Sequence, residues 1–268
     1  MSETLVERSE GLVTVTFNRP HKKNALNAGN WADLDKVLRE VARNSGDRAL
    51  LLTGADGNFS AGAEIGGSGG IGADKVSGLT GQAPQAIIHE MRVVGEIVRQ
   101  LHRLPKPTLA VVDGVAVGVS LGLVLACDLV IASDRARFSE IFIRRGLALD
   151  GGNSWTLPRA VGLRRAKQMA FFGDMVSASD ALAWGLINEV VPAEELSKTG
   201  LEWGRRLATA PTTAISVIKR QLDDSALLTM EQALEAEAQG QHITYTTSDV
   251  REGIASFLER RDPRFTGQ

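Results

Sequence analysis

The sequence predicts an α/β core carrying a C-terminal helical appendage. The first half alternates short apolar strands with amphipathic helices. Residues 106–152 hold, in one uninterrupted run, an apolar strand, a glycine-bearing turn that opens a helix, and a lone carboxylate. From residue 163 onward nearly every segment reads as helix. Strand–helix alternation followed by a helical tail is the pattern of one α/β layer with helices added behind it. The boundary falls at Pro192, giving a core over 1–192 and a helical region over 193–268.

Taken in order, residues 12–17 alternate apolar and polar side chains, as a half-buried strand does, and Asn18-Arg19-Pro20 ends them. Asn27 can cap a helix over 30–43, where Trp31, Leu34, Val37, Leu38 and Val41 form a stripe of helical period. Residues 49–53 read as a buried strand and lead into the loop 54–64. A long helix over 85–104 is closed by Pro105 and Pro107. The central segment follows: a strand over 108–112, a turn from Asp113 to Ser120, and a helix over 121–127. A strand over 129–132 comes next. Helices are expected over 163–172, 178–184, 193–208, 212–222 and 230–244, with one short strand near 187–191. No repeat of fixed period is visible.

Composition narrows the classes. A chain of 268 residues can bury a sizeable core, and 43% hydrophobic with 23% charged residues is ordinary for a soluble globular protein. Thirty basic against 32 acidic residues leave a net charge of −2, which gives no reason to expect a nucleic-acid partner. Cys127, the single cysteine, excludes an internal disulfide and sits in an apolar helix, where a structural role is expected. Residues 1–10 carry alternating charges and no secretory h-region, and the longest apolar run, 115–127, is too short to span a bilayer. The expected compartment is cytoplasmic, with no membrane partner. Four scattered histidines and no clustered carboxylates predict no metal site.

Two short patterns invite a reading and lose it on context. Gly67-Ser68-Gly69-Gly70-Ile71-Gly72 fits G-x-G-x-x-G, but it follows a turn-rich loop instead of a strand, so a surface loop is expected there. Gly118-Val119-Ser120-Leu121-Gly122 fits the G-x-S-x-G elbow of serine hydrolases and does lie between a strand and a helix. Asp150 and His242 even follow in the matching order, but His242 falls in a helix and no HGGG-type motif appears. Ser120 is then a small residue that permits close packing, with a serine hydrolase kept as the outside alternative.

The same turn supports a different chemistry. Free N–H groups at a helix start attract negative charge. Asp150 lies among Gly146, Leu147, Ala148, Leu149, Gly151 and Gly152, apolar and glycine neighbours that should raise its pKa. Amides that hold an oxyanion, with one carboxyl that moves a proton, suggest enolate chemistry. A helix N-cap is the bland alternative for Asp150.

Across nearly the whole chain the residues resemble the crotonase (enoyl-CoA hydratase/isomerase) superfamily. The resemblance is carried by Asn18-Arg19-Pro20 with Lys23-Asn24-Ala25-Leu26-Asn27, by Phe59-Ser60-Ala61-Gly62-Ala63-Glu64-Ile65, and by Lys106-Pro107 with Asp113-Gly114-Val115-Ala116-Val117-Gly118. Ala126-Cys127-Asp128, Leu157-Pro158-Arg159, Ala183-Trp184-Gly185-Leu186 and the tail from Glu252 to Arg261 continue it in order. It implies a spiral of ββα turns, C-terminal helices that pack into homotrimers or dimers of trimers, and coenzyme A entering as part of an acyl-CoA thioester, with no tightly bound cofactor. It implies that the N–H groups of Ala63 and Val119 receive the thioester oxygen. It further implies that Lys23, Ala25, Leu26, Ala61, Glu64, Ile65, Gly118 and Phe142 line the substrate. Where hydratases of the family carry two glutamates this chain has Gly122 and Phe142, which cannot move protons. Glu140 can substitute if its side chain shares the face of Phe142; a surface salt bridge is the plainer expectation for it. Asp150 resembles the aspartate of the isomerase branches. The resemblance therefore implies double-bond isomerisation of an enoyl-CoA with Asp150 as acid/base. Hydration of a 2-enoyl-CoA and a non-catalytic thioester binder are the alternatives.

Overall fold

The computed structural model describes residues 2–65 and 84–268; the G-x-G-x-x-G match lies outside them. Nine strands form two sheets among the described residues. They are β1 (Thr4–Ser9), β2 (Leu12–Phe17), β3 (Ala49–Gly54), β4 (Thr108–Val112), β5 (Val115–Val117), β6 (Leu129–Ser133), β7 (Arg137–Ser139), β8 (Val176–Ser177) and β9 (Glu189–Val191). The larger sheet runs β1-β2-β3-β4-β6-β9 and the smaller β5-β7-β8. In the larger sheet only β1 and β2 are antiparallel, joined by Glu10-Gly11, both at positive φ, as a tight hairpin requires. The remaining pairs are parallel, with Thr14 opposite Leu51, Leu51 opposite Leu109 and Leu109 opposite Leu129. In the smaller sheet β5 and β7 are parallel and β8 returns antiparallel.

The helices are α1 (Ala28–Arg43), α2 (Pro84–His102), α3 (Val119–Ala126), α4 (Asn153–Phe172), α5 (Ala178–Trp184), α6 (Leu196–Ala208), α7 (Thr212–Asp224), α8 (Met230–Tyr245) and α9 (Ser248–Glu259). Asn27 caps α1 in a reciprocal box with Asn30, which is why that helix starts where it does. A parallel sheet buried on both faces needs apolar residues at consecutive positions, and Leu50, Leu51 and Leu52 of β3 supply them. Leu50 and Leu52 join Val13, Val15, Ala110 and Val112 in the core shared with α1, α2 and α3. Leu51 points the other way, with Leu12, Leu109, Val111 and Ile131, into a second core closed by Leu196 and Ala208 of α6. The first helix of the C-terminal stretch thus covers the sheet itself. Behind it, Arg48 ties the tail to the core: Nη2 donates to Ala210 O at 2.7 Å and Nη1 to Phe265 O at 3.0 Å.

No described helix is long and apolar enough to cross a membrane. The expected spiral α/β core with a helical C-terminal region is the observed architecture. Five elements were not legible. Strand β1 exposes five of its six residues and so lacks an apolar run; β5 and β7 are three residues each and β8 two; and α9 opens on a Thr247 cap inside a charged tail. The stretch expected as a helix over 163–172 begins at Asn153, interrupted at Gly162 (φ 78°, ψ 156°).

Candidate active site

The site is built on the passage from β5 into α3. Gly118 turns the chain there with φ 59° and ψ −131°, a conformation open to glycine alone, so that α3 starts at Val119 with its first amides unpaired within the helix. Val119 is 3% exposed, and α3 is buried along nearly its whole length. The loop after β3 approaches alongside: Leu26 N donates to Gly62 O and Glu64 N to Leu26 O, both at 2.8 Å, bracketing Ala63. That parallel bridge uses the Gly62 carbonyl and the Glu64 N–H and leaves the Ala63 N–H out of the ladder. Among the described residues no acceptor meets the N–H of Ala63 or of Val119. Two free amides on adjoining turns are what an oxyanion requires.

The loop bearing Asp150 is pressed onto the start of α3. A Cβ on Gly151 would stand 2.9 Å from Val119 Cγ2, and one on Gly122 would stand 2.4 Å from Gly151 O. Asn153 Nδ2 donates to Gly118 O at 3.2 Å and pins the loop from the other side. Asp150 therefore directly precedes a residue packed against Val119. Its carboxylate does not cap α4, whose cap position is Gly152 with no side-chain bond. Asp150 Oδ1 is buried and meets no hydrogen-bond partner among the described residues. Burial pushes its carboxyl up to about 6, into the range where it can give and take a proton near neutrality.

Glu140 overturns the expectation of a surface salt bridge. It is 0% exposed, and neither carboxylate oxygen has a partner among the described residues. Burial first, and then the charge of Asp150, push its carboxyl up to about 8. The polypeptide around it supports the oxyanion turn directly: Gly118 N donates to Ser139 O at 2.9 Å. A Cβ on Gly118 would lie 3.6 Å from Ile141 Cγ2 and 3.7 Å from Phe142 Cζ. Phe142 is thus buried against the turn. Sequence spacing gave no signal for this burial, because Glu140 follows a strand too short to show alternation.

The residues expected to line a pantetheine chain form a second buried network. Arg19 donates to Glu64 Oε2 at 2.9 Å and to Ala25 O at 2.6 Å, and Lys22 reaches Glu64 Oε1 at 2.9 Å. The Lys22 ammonium, and then the Arg19 guanidinium, hold the Glu64 carboxyl below its ordinary value. The Glu64 carboxylate is thus engaged inside the protein, where it locks residues 22–26 against the Ala63 loop. Ala61 N donates to Lys23 O at 2.9 Å, and Lys23 (φ 49°) and Ile65 (62% exposed) stand at the open edge. Ala25 and Leu26 are buried beneath them.

The serine-hydrolase alternative is overturned. Ser120 is 0% exposed; its Oγ accepts from Val117 N at 3.0 Å and stands 2.9 Å from Ser60 O, as a knot between two backbone segments. His242, the base that reading required, is exposed on α8.

Two amides without acceptors and a half-buried carboxyl on a loop packed against one of them are the groups that chemistry at a carbonyl calls for. The sequence profile described as Enoyl-CoA hydratase/isomerase matches residues 7–268, and the chain belongs to that family of acyl-CoA enzymes. It is 37% identical over 269 aligned positions to the 1,2-epoxyphenylacetyl-CoA isomerase of Escherichia coli K12, with 100% of both chains covered. It is 31% identical to the trans-2-decenoyl-[acyl-carrier-protein] isomerase of Streptococcus mutans, over 99% of this chain and 98% of that one. Among solved structures, an enoyl-CoA hydratase/isomerase from Cupriavidus metallidurans superposes with a TM-score of 0.89 at 31% identity, covering 100% of this chain and 97% of the other.

Proposed function

We propose that the chain isomerises the double bond of an enoyl-CoA, with the thioester oxygen held by the Ala63 and Val119 N–H groups and Asp150 as the single acid/base. What supports this reading is the buried, unpartnered Oδ1 of Asp150, in a loop whose Gly151 packs against Val119 and whose Asn153 bonds to Gly118 O. Two amides stabilise the enolate left when a carbon next to the carbonyl, or its vinylogous position, loses a proton. Asp150 takes that proton from one carbon and returns it to another, so no water and no second carboxylate are consumed. In this reading Lys23, Ala25, Leu26, Ala61 and Ile65 line the coenzyme A arm, Phe142 and Gly118 the acyl end, and Glu64 acts through Arg19 and Lys22. Exposed apolar side chains on the C-terminal helices, among them Met230, Phe257 and Leu258, are the surface through which trimers or dimers of trimers would form.

Hydration is the second reading, favoured by one observation: Glu140 stands close enough to Asp150 to feel its charge. The deciding experiment is proton exchange at the α-carbon of a simple acyl-CoA in deuterated water, wild type against Asp150→Asn, followed by 3-enoyl-CoA and 2-enoyl-CoA panels. Exchange that collapses in the variant, with turnover of the 3-enoyl panel, is the expected result. Thioester binding without exchange would leave a binder, and water addition to the 2-enoyl panel would make the chain a hydratase.

A further inference from the structure

Among the described residues, Glu140 is the wholly buried acid near the site that the proposed reaction does not use. It sits in the middle of residues 139–142, the stretch that meets Gly118 through the Ser139 carbonyl, Ile141 and Phe142. A carboxylate without donors is intolerable in such a place, whereas a neutral acid is not. Both Glu140 oxygens, Asp150 Oδ1 and Asn153 Oδ1 are buried and unpartnered among the described residues, so this corner is rich in acceptors and short of donors. An acid proton is the donor the corner lacks. Other charges nearby do not relieve Glu140. Arg144 turns outward to Asp174, with 51% and 73% side-chain exposure, and Arg137 and Arg145 are exposed. Asp150 is the group whose charge bears on it, and that charge opposes a second anion.

We propose that Glu140 is a positioning residue that must be uncharged: as a neutral acid it seats residues 139–142 against Gly118 and so aims the Val119 amide, and its ionisation unseats them. The inference rests on the reading of Val119 and Asp150 as the reacting centre. The active window is then bounded on the acid side by Asp150, which must be ionised to act as base, and on the alkaline side by Glu140, which must not be. Glu140 need not touch substrate, and its carboxyl takes no part in bond making or breaking.

The test compares wild type with Glu140→Gln, and with Glu140→Met as a second neutral variant, using two readouts. The first is α-proton exchange against pH. Wild type should fall about tenfold per pH unit above about 8, while Glu140→Gln keeps its neutral-pH rate to the top of the range. The second is melting temperature against pH, which does not depend on any reaction. The folded-state value lies above the unfolded one, so the stability Glu140 contributes is present below 4.5 and lost as pH rises toward about 8. The variants should therefore match wild type at low pH and melt progressively higher than it as pH rises.

A pH-independent melting difference, or an alkaline limb unchanged in Glu140→Gln, would overturn the proposal. So would loss of neutral-pH exchange in a folded Glu140→Gln, because that would mean the carboxyl itself is needed. If wild type exchanges at no pH, the proposed reaction fails on its own. Acyl-CoA affinity over the same pH range then reads the Val119 amide, weakening above about 8 in wild type but not in Glu140→Gln, and equal pH dependence would overturn the inference. Should neither variant fold, infrared difference spectra of the wild type decide: a protonated-carboxyl band that bleaches near pH 8 supports the assignment, and its absence refutes it.

Discussion

Replacing Asp150 with Asn should make the protein more stable while it sharply slows proton exchange. The carboxyl is held at about 6 against an ordinary 3.8, so at neutral pH the folded state carries an anion that burial disfavours. At about 1.36 kcal/mol per pH unit of displacement, the difference is worth ~3 kcal/mol at most. Asp150 is only partly buried, and solvent at its open side reduces the gain to about 1–2 kcal/mol. The sign follows from linkage: with the folded value raised, Asp150's contribution is intact below 3.8 and lost as pH climbs through about 6. Asn should thus match wild type near pH 4 and exceed it above pH 7, by roughly 2–8 °C in melting temperature for a chain of this size. Exchange at the α-carbon should fall by about 10²–10⁴, the usual worth of a positioned base. Thermal melts at the two pH values, paired with the exchange assay, supply both numbers. An Asn variant less stable than wild type above pH 7 would refute the reasoning, because it would mean that the carboxylate has a strong partner in the folded protein.

Three further substitutions probe the surroundings. Gly118→Ala has room for its methyl but not for its backbone angles, so it should cost on the order of 1–3 kcal/mol. It should also lower exchange by about 10²–10³ through the displaced Val119 amide, measured in the same exchange assay. Ser120→Ala removes the acceptor of Val117 N and should cost about 1–3 kcal/mol by denaturant titration. It should leave exchange detectable, and the wild-type serine should resist a fluorophosphonate probe. Arg19→Met removes one of two cations from the buried Glu64 and leaves Lys22 as its partner; the expected loss is about 1–3 kcal/mol, with a KM for acyl-CoA that rises more than kcat falls.

The larger features of the fold were legible because they rest on local pattern. The Leu34–Val37–Leu38–Val41 stripe and the Asn27 cap each act over a few residues, and each stands where the spacing places it. Strand β1 was not legible because an edge strand with one buried residue has no apolar signature. At the candidate site, the turn at Gly118 and the isolation of Asp150 from polar neighbours could be read directly. The burial of Glu140 could not, since it depends on how residues 139–142 fold back on Gly118. Nor could the engagement of Glu64 by Arg19, which spans 45 positions of sequence and forms only when two loops meet.

The contact between Gly122 and the Gly151 carbonyl has a consequence for how such enzymes diverge. A side chain at 122 and the loop at 151 compete for one volume, since even a methyl group would come within 2.4 Å of Gly151 O. A glutamate introduced at 122, where the family's hydratases carry one, would evict the loop that positions Asp150 before contributing any chemistry of its own. The two arrangements are alternative occupations of the same space, strongly coupled and far from additive.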